Sequence, residues 1–218
     1  MLNSSRPSCV CTVLLCLLGA LAGSTAKGQT PTTLEKHLSR LDLGVSGVGI
    51  FTRDVSGTNY LGQPLTQNMS NTLGALVTIR YTKSPYIGAE INYGYARYTQ
   101  NFSQYIVGGA QTNASEYTIG YVIHPPHLLL GAQPFIAGGI GAIAFRPTPG
   151  GGQGLQNQAV GAYYAAAGLE KSVLSQHFGI RAQVRDIFFT APDFYQNFLT
   201  IQKHTSTFEP GIGFYLKF

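Results

Sequence analysis

From residue 41 onward, apolar side chains recur at alternate positions in a series of blocks. Within Leu73–Lys83, Ala75, Val77, Ile79 and Tyr81 share one phase, while Thr78, Arg80 and Thr82 share the other. Ile87, Ala89, Ile91, Tyr93 and Tyr95 likewise oppose Gly88, Glu90, Asn92 and Gly94. Tyr117, Ile119, Tyr121 and Ile123 oppose Glu116, Thr118 and Gly120, and Phe178, Ile180, Ala182 and Val184 oppose Arg181, Gln183 and Arg185. A period of two is the period of a β-strand, whose successive side chains point to opposite faces. The pattern predicts eight strands: Leu41–Phe51, Leu73–Lys83, Ile87–Arg97, Ala114–His124, Ala132–Phe145, Ala159–Lys171, His177–Phe189 and Thr205–Phe218. Upstream, Thr33–Arg40 is polar and predicts a helical turn or two capped by Thr33.

The connections sort by parity. Those after the first, third, fifth and seventh strands are long and polar (Thr52–Thr72, Tyr98–Asn113, Arg146–Gln158 and Thr190–His204), and those after the second, fourth and sixth are short. An up-and-down barrel with short turns at one end and long loops at the other produces this rhythm. A soluble sandwich gives no reason for it. The apolar stretch Leu128–Phe145 has the composition of a membrane helix, but Gln133-Pro134 and Gly138, Gly139 and Gly141 interrupt it, and a helix there would leave the other alternating blocks unexplained.

Composition sharpens the picture. Charged residues make up 11% of the chain, against about 25% in an average soluble domain. Few charges suit a wall that meets lipid. The net charge of +5 is spread thinly, with no basic run, so a nucleic-acid partner is not expected. The first 28 residues read as a secretory signal peptide: Arg6, the apolar run Val10–Gly23, then small residues suited to cleavage after Ala26 or Gly28. Residues 29–40 then form a short periplasmic segment, and 41–218 the barrel domain. Cys9, Cys11 and Cys16 all fall in the leader, and Leu15 before Cys16 does not fit a lipoprotein signal, so the mature chain is expected to have neither disulfide nor thiolate metal site.

The last strand carries Phe208, Ile212, Phe214, Leu216 and Phe218 on one phase, with Glu209, Gly211 and Gly213 on the other. Together with the strand count, the loop rhythm, the segment G-I-R-A-Q-V-R-D-I-F-F (Gly179–Phe189) and the terminal F-Y-L-K-F, this resembles the small eight-stranded outer-membrane barrels of the OmpA, OmpX and OmpW type. The resemblance covers about residues 41–218 and is specific for architecture rather than activity. It implies an all-β, eight-stranded antiparallel transmembrane barrel in a bacterial outer membrane. It also implies Phe218 as the signal read by the barrel assembly machinery, outer-membrane lipids as partners, and an extracellular ligand for the loops. With no peptidoglycan-binding domain after the last strand, the cell-wall tethering of full-length OmpA is not expected.

The phase opposite the apolar one holds Arg80, Glu90, Glu116, Glu170, Arg181, Arg185, Glu209 and Lys217. An eight-stranded lumen is only wide enough for side chains to fill, so these groups are expected to pair as a plug; a narrow polar conduit is the alternative. Arg80 and Glu90 flank the connection Ser84-Pro85-Tyr86 and are predicted to face each other, as are Arg185 and Glu209 on the last two strands. Tyr81, Tyr86, Tyr98, Phe145, Phe178 and Phe218 are predicted at strand ends as interfacial girdles, and Tyr93, Tyr95, Tyr117 and Tyr121 as lipid-facing contacts.

Signals of catalysis are weak. His204-Thr205-Ser206 with Glu209 evokes barrels that hydrolyse lipid A or phospholipids, but lipid A deacylases carry H-x-S-N, Thr207 stands where that Asn would be, and Glu209 alternates to the face opposite His204. Gly150-Gly151-Gly152-Gln153-Gly154 lacks the Lys-Ser/Thr of a phosphate loop. Three sequons, at Asn68, Asn101 and Asn113, read as polar loop residues. His37, His124, His127, His177 and His204 have no metal-ligand spacing, and no catalytic residue, metal or cofactor is expected. The sequence therefore predicts a non-enzymatic outer-membrane barrel with a structural or surface-interaction role through four outer loops. A narrow channel for small or hydrophobic solutes, of the OmpW kind, is the alternative, and a lipid hydrolase a remote one.

Overall fold

A computed structural model describes residues 33–103 and 106–218. The predicted signal peptide, 1–28, lies outside the described residues. The six-residue helix α1 (Thr33–Leu38) falls where helical turns were predicted. The strands are β1 (Leu41–Thr52), β2 (Val55–Thr58), β3 (Pro64–Met69), β4 (Thr72–Thr82), β5 (Ile87–Phe102), β6 (Ile106–Ile123), β7 (Gln133–Pro147), β8 (Gln158–Ser175), β9 (Phe178–Thr190) and β10 (His204–Lys217). Leu128–Phe145 is therefore no helix: most of it is β7, a continuous strand that includes the very glycines that argue against a helix.

Eight of these strands close on themselves, each antiparallel to its neighbours, in the order β1-β4-β5-β6-β7-β8-β9-β10, with β1–β10 and β5–β6 pairings completing the circle. Closure leaves no open edge in the wall, so each strand has a ladder partner on both sides. The register measures the stagger. Leu41 pairs with Tyr81, Tyr81 with Ala89, Ala89 with Tyr121 and Tyr121 with Gly138. Gly138 then pairs with Ala165, Ala165 with Asp186, Asp186 with Phe208 and Phe208 with Phe51. One circuit thus returns to β1 ten residues above its start, which on eight strands tilts them by roughly 40°.

Alternation continues beyond the predicted ends, because the polar residues that suggested loops keep the period of two. Tyr98–Asn113 was expected to be a long loop. It instead extends β5 and β6 into a hairpin standing above the wall, with only residues 103–105 between the strands. The first long connection is likewise no plain loop: β2 and β3 form a hairpin, and β3 pairs with β5 through Gln67–Phe102, Asn68–Asn101 and Met69–Gln100. The connections after β7 and β9 remain long and those after β4 and β8 are short, but the connection after β6, residues 124–132, is nearly as long as that after β7, residues 148–157, so the expected parity of loop lengths is kept only in part.

The interior has two layers. Near the short turns the inward side chains are charged. Nearer the long loops they are apolar, with Val48, Ile50, Leu76, Tyr98, Phe145, Ile187 and Phe189 forming one buried cluster. That cluster is covered by Val55, Leu65 and Met69 from the β2–β3 region and by Phe194, Leu199 and Ile201 from the β9–β10 connection. Phe194 adopts a left-handed backbone, φ 52°, and its ring is fully buried. Such a φ costs on the order of 1 kcal/mol, which burial of the ring offsets. Tyr98 and Phe145 are thus interior residues rather than members of a girdle: the extended strands carry both inward, above the charged layer. Tyr86 is exposed, Tyr81 and Phe218 are half-buried, and Phe178 stacks on Phe214 at 5.5 Å. Tyr93, Tyr95, Tyr117 and Tyr121 stand exposed on the outer face among Ile79, Ile91, Ile119 and Ile140.

Closure as the source of backbone satisfaction has a direct consequence. Detergent-folded protein is expected to migrate differently on a gel before and after boiling and to give a β-rich circular-dichroism spectrum; unchanged migration with a helical spectrum would contradict it.

Candidate functional site

The concentration of ionisable groups lies inside the wall, toward the end with the short turns. Inward positions alternate with apolar outward ones, and every wall strand except β7 contributes one or two groups: Asp42 from β1, Arg80 from β4, Glu90 from β5, Glu116 from β6, Glu170 from β8, Arg181 and Arg185 from β9, and Glu209 from β10. Three guanidiniums meet five carboxylates. The arginines are at most 2% exposed, which makes pairing obligatory, because an isolated ion there would carry a desolvation penalty of several kcal/mol.

The groups fall into two connected clusters. In the first, Arg80 donates from Nε and Nη2 to Glu90 Oε2 at 3.0 and 2.7 Å, and from Nη1 to Glu170 Oε1. Arg181 donates from Nε to the same Glu170 oxygen at 2.8 Å and from Nη2 to Asp42 Oδ1 at 2.8 Å. Glu170 is therefore shared between two arginines, with His124 Nε2 3.8 Å from its other oxygen. The Phe135 ring lies 4.5 Å from the Arg80 guanidinium carbon and 5.9 Å from that of Arg181, and the Tyr215 ring is 5.2 Å from Arg181. These faces hold the planar cations while the carboxylates take their edges. Space is tight: a Cβ on Gly44 would come within 2.7 Å of Arg181 Nη1 and oblige the guanidinium to shift.

In the second cluster Arg185 donates from Nη1 to Glu209 Oε2 at 2.9 Å and from Nη2 to Glu116 Oε1 at 2.5 Å. Thr118 donates to Glu116, and Asn92 to Glu90, so the carboxylates accept neutral donors as well. Tyr164 joins the clusters: its hydroxyl donates to Glu90 Oε1 at 2.9 Å, and its ring lies 5.2 Å from the Arg185 guanidinium. Gly120 leaves the space this hydroxyl occupies. Between Arg185 and the apolar layer a cavity of about 40 Å³ remains, bordered by Glu116, Glu209, Leu76 and Tyr98. That is room for a water or two, not for a passage.

Lys217 is not brought into the lumen. It has the inward phase, but it stands on the last rung of β10, where its side chain is exposed at the rim. Asp42, His124, Phe135 and Tyr164 belong to the constellation without having been singled out. For Asp42 the signal was present, since Asp42, Gly44 and Ser46 alternate with Leu41, Leu43 and Val45. His124 ends the predicted strand Ala114–His124 in phase with Glu116, and Tyr164 is in phase with Glu170 within Ala159–Lys171, so their inward phase was legible as well, whereas no charge on its predicted strand marks the phase of Phe135. Phe218 is half-buried, its N–H donating to the Leu41 carbonyl at 3.1 Å. His204 is exposed, 3.3 Å from the Thr190 hydroxyl, while Glu209 is engaged by Arg185 on the other face of the wall, so His204, Ser206 and Glu209 do not assemble. Among the described residues no cluster of three or more His, Cys, Asp or Glu is placed to hold a metal ion.

No protein-family profile matches the chain, and no curated protein matches it by sequence. Solved structures do match. Neisserial surface protein A superposes with a TM-score of 0.54 at 10% identity, covering 82% of this chain and 97% of that one. The outer membrane protein OprG from Pseudomonas aeruginosa superposes with a TM-score of 0.55 at 14% identity, covering 82% and 95%. The fold is that of the small eight-stranded outer-membrane β-barrels.

The sharing of Arg185 orders the expected stability losses. Arg185→Gln strands two buried carboxylates and is expected to cost about 3 to 5 kcal/mol, whereas Glu209→Gln leaves Arg185 held by Glu116 and costs less. Combining Arg185→Gln with Glu116→Gln and Glu209→Gln is expected to recover much of the loss in urea unfolding from detergent micelles. A triple variant as damaged as the sum of its singles would show that the three groups are uncoupled.

Proposed function

We propose that this chain is an integral protein of a bacterial outer membrane whose lumen is closed and whose role, structural or adhesive, is exercised at its outer end. The two termini-side ends of β1 and β10 and the short turns then face the periplasm, and the β2–β3 hairpin and the connections after β5, β7 and β9 face outward. The outward phase of the wall supports the location: side chains such as Val45, Ile79, Ile91, Ile119, Ile140, Ile212 and Phe214 are exposed around the barrel, far more apolar surface than a soluble protein presents.

The observation that carries the closed reading is the filling of the bore. Arg80, Arg181 and Arg185 span it with carboxylates on either side, and the Phe145 cluster closes it above. The alternative of a narrow solute channel requires a path that these two layers interrupt. What remains available for recognition is the outer end, where Tyr60 and Leu61 are exposed at the tip of the β2–β3 hairpin and Tyr195 is exposed on the β9–β10 connection. In this reading Phe218 serves the assembly machinery before its backbone settles against Leu41.

Planar-bilayer recording tests the proposal. Refolded protein is expected to insert without conductance steps above those of the bare bilayer; reproducible single-channel steps from correctly folded protein would favour the channel instead.

A further inference from the structure

Arg97 on β5, Asn113 on β6 and Arg146 on β7 lie along one line of cross-strand pairs, Arg97 opposite Asn113 and Asn113 opposite Arg146. All three have the outward phase, and both arginines are exposed. Arg97 Nε donates to Asn113 Oδ1 at 2.7 Å, and the Tyr95 hydroxyl donates to the same oxygen at 3.1 Å, which fixes the row relative to the aromatic residues beneath it. Among the described residues neither arginine has an acidic partner: the ion pairs of Arg80, Arg181 and Arg185 are all inside the wall. Two cations thus stand on the lipid side without counter-charge.

Their height is informative. Below Arg97 the outward positions of β5 are Ile87, Ala89, Ile91, Tyr93 and Tyr95, with no charge among them. Ten residues at about 3.3 Å each, tilted by about 40°, climb roughly 25 Å along the barrel axis, the height of the apolar band of an outer-membrane barrel. The row therefore falls just above the acyl region, at headgroup level. Beside it, a polar depression of about 480 Å³ is lined by Arg97, Thr99, Gln111 and Asn113 and roofed by Thr148–Gln153.

We propose that Arg97, Asn113 and Arg146 bind the phosphorylated headgroup of an outer-leaflet lipid, with its acyl chains lying on the wall formed by Tyr95, Tyr117 and Ile140. Guanidiniums match phosphate oxygens in pairs, and the depression beside Arg97 accommodates the sugar or other polar body carrying the phosphate. The site rests on the membrane location proposed above, because a phosphate reaches this face as part of a lipid only if the wall is embedded.

The test uses refolded wild-type protein and the Arg97→Gln/Arg146→Gln double variant in phospholipid nanodiscs doped with bisphosphorylated lipid A, followed by gentle detergent release and native mass spectrometry. Wild-type barrels are expected to retain lipid A, and the double variant, with its heat-dependent gel shift intact, to retain roughly ten-fold less or lower. Dephosphorylated lipid A is expected to be retained no better by wild type than by the variant. Equal retention of lipid A by the two proteins overturns the site, and displacement by millimolar inorganic phosphate shows a free-anion site in place of a lipid one. Failure of wild-type protein to enter nanodiscs at all identifies the membrane reading, rather than the arginine row, as the fault.

Discussion

Shared pairing of Glu170 between Arg80 and Arg181 sets the terms for the interior of this barrel. Eight strands staggered by ten residues enclose a bore that side chains fill, so any charge on the inward phase is pressed against whatever its neighbours carry. The sequence places arginines on β4 and β9 and carboxylates on β1, β5 and β8, and the stagger brings them to one level. Removing Arg80 takes away the cation paired with Glu90, and removing Arg181 the one paired with Asp42, which is why the cluster constrains register as well as stability. A slip of one residue in a strand would turn its charged phase toward lipid and its isoleucines toward the arginines.

The second layer solves a different problem. Above Arg185 the inward phase of the strands changes from charged to aliphatic and aromatic. An apolar core at that height gives the long connections something to pack on: the β2–β3 hairpin contributes Val55 and Leu65, and the β9–β10 connection contributes Phe194 and Leu199. Asp193 then holds that connection locally, accepting from the Gln158 amide, the Tyr195 N–H and the Thr200 hydroxyl. The outer end is accordingly a packed surface built on the barrel rather than a set of loose loops.

Legibility followed physical range. The strands and their inward and outward phases were readable because alternation is local: Arg80, Glu90, Arg181 and Arg185 all fall on the phase that faces the lumen. What required three dimensions was which carboxylate each arginine meets. Cross-strand neighbours such as Arg80 and Glu90 follow from turn length alone, whereas the contacts of Glu170 with Arg80 and of Arg181 with Asp42 cross the bore and depend on stagger. The misread loops share one cause: polarity was taken as the end of a strand, although Gln100, Thr112 and Asn113 keep the period of two while standing above the lipid. Lys217 shows the opposite error, since correct phase at the last rung does not place a side chain inside.

The central claim, a bore sealed from solvent, is tested most directly by thiol access. Thr78 is buried in the lumen, its hydroxyl donating to Asn92 Oδ1 at 2.7 Å, whereas Ser56 is exposed on the β2–β3 hairpin. In protein refolded from residue 29 onward, which lacks other cysteines, Thr78→Cys is expected to resist a charged methanethiosulfonate reagent over the time in which Ser56→Cys is fully modified. Comparable rates at the two positions, with the barrel still folded by gel shift, would contradict the sealed lumen.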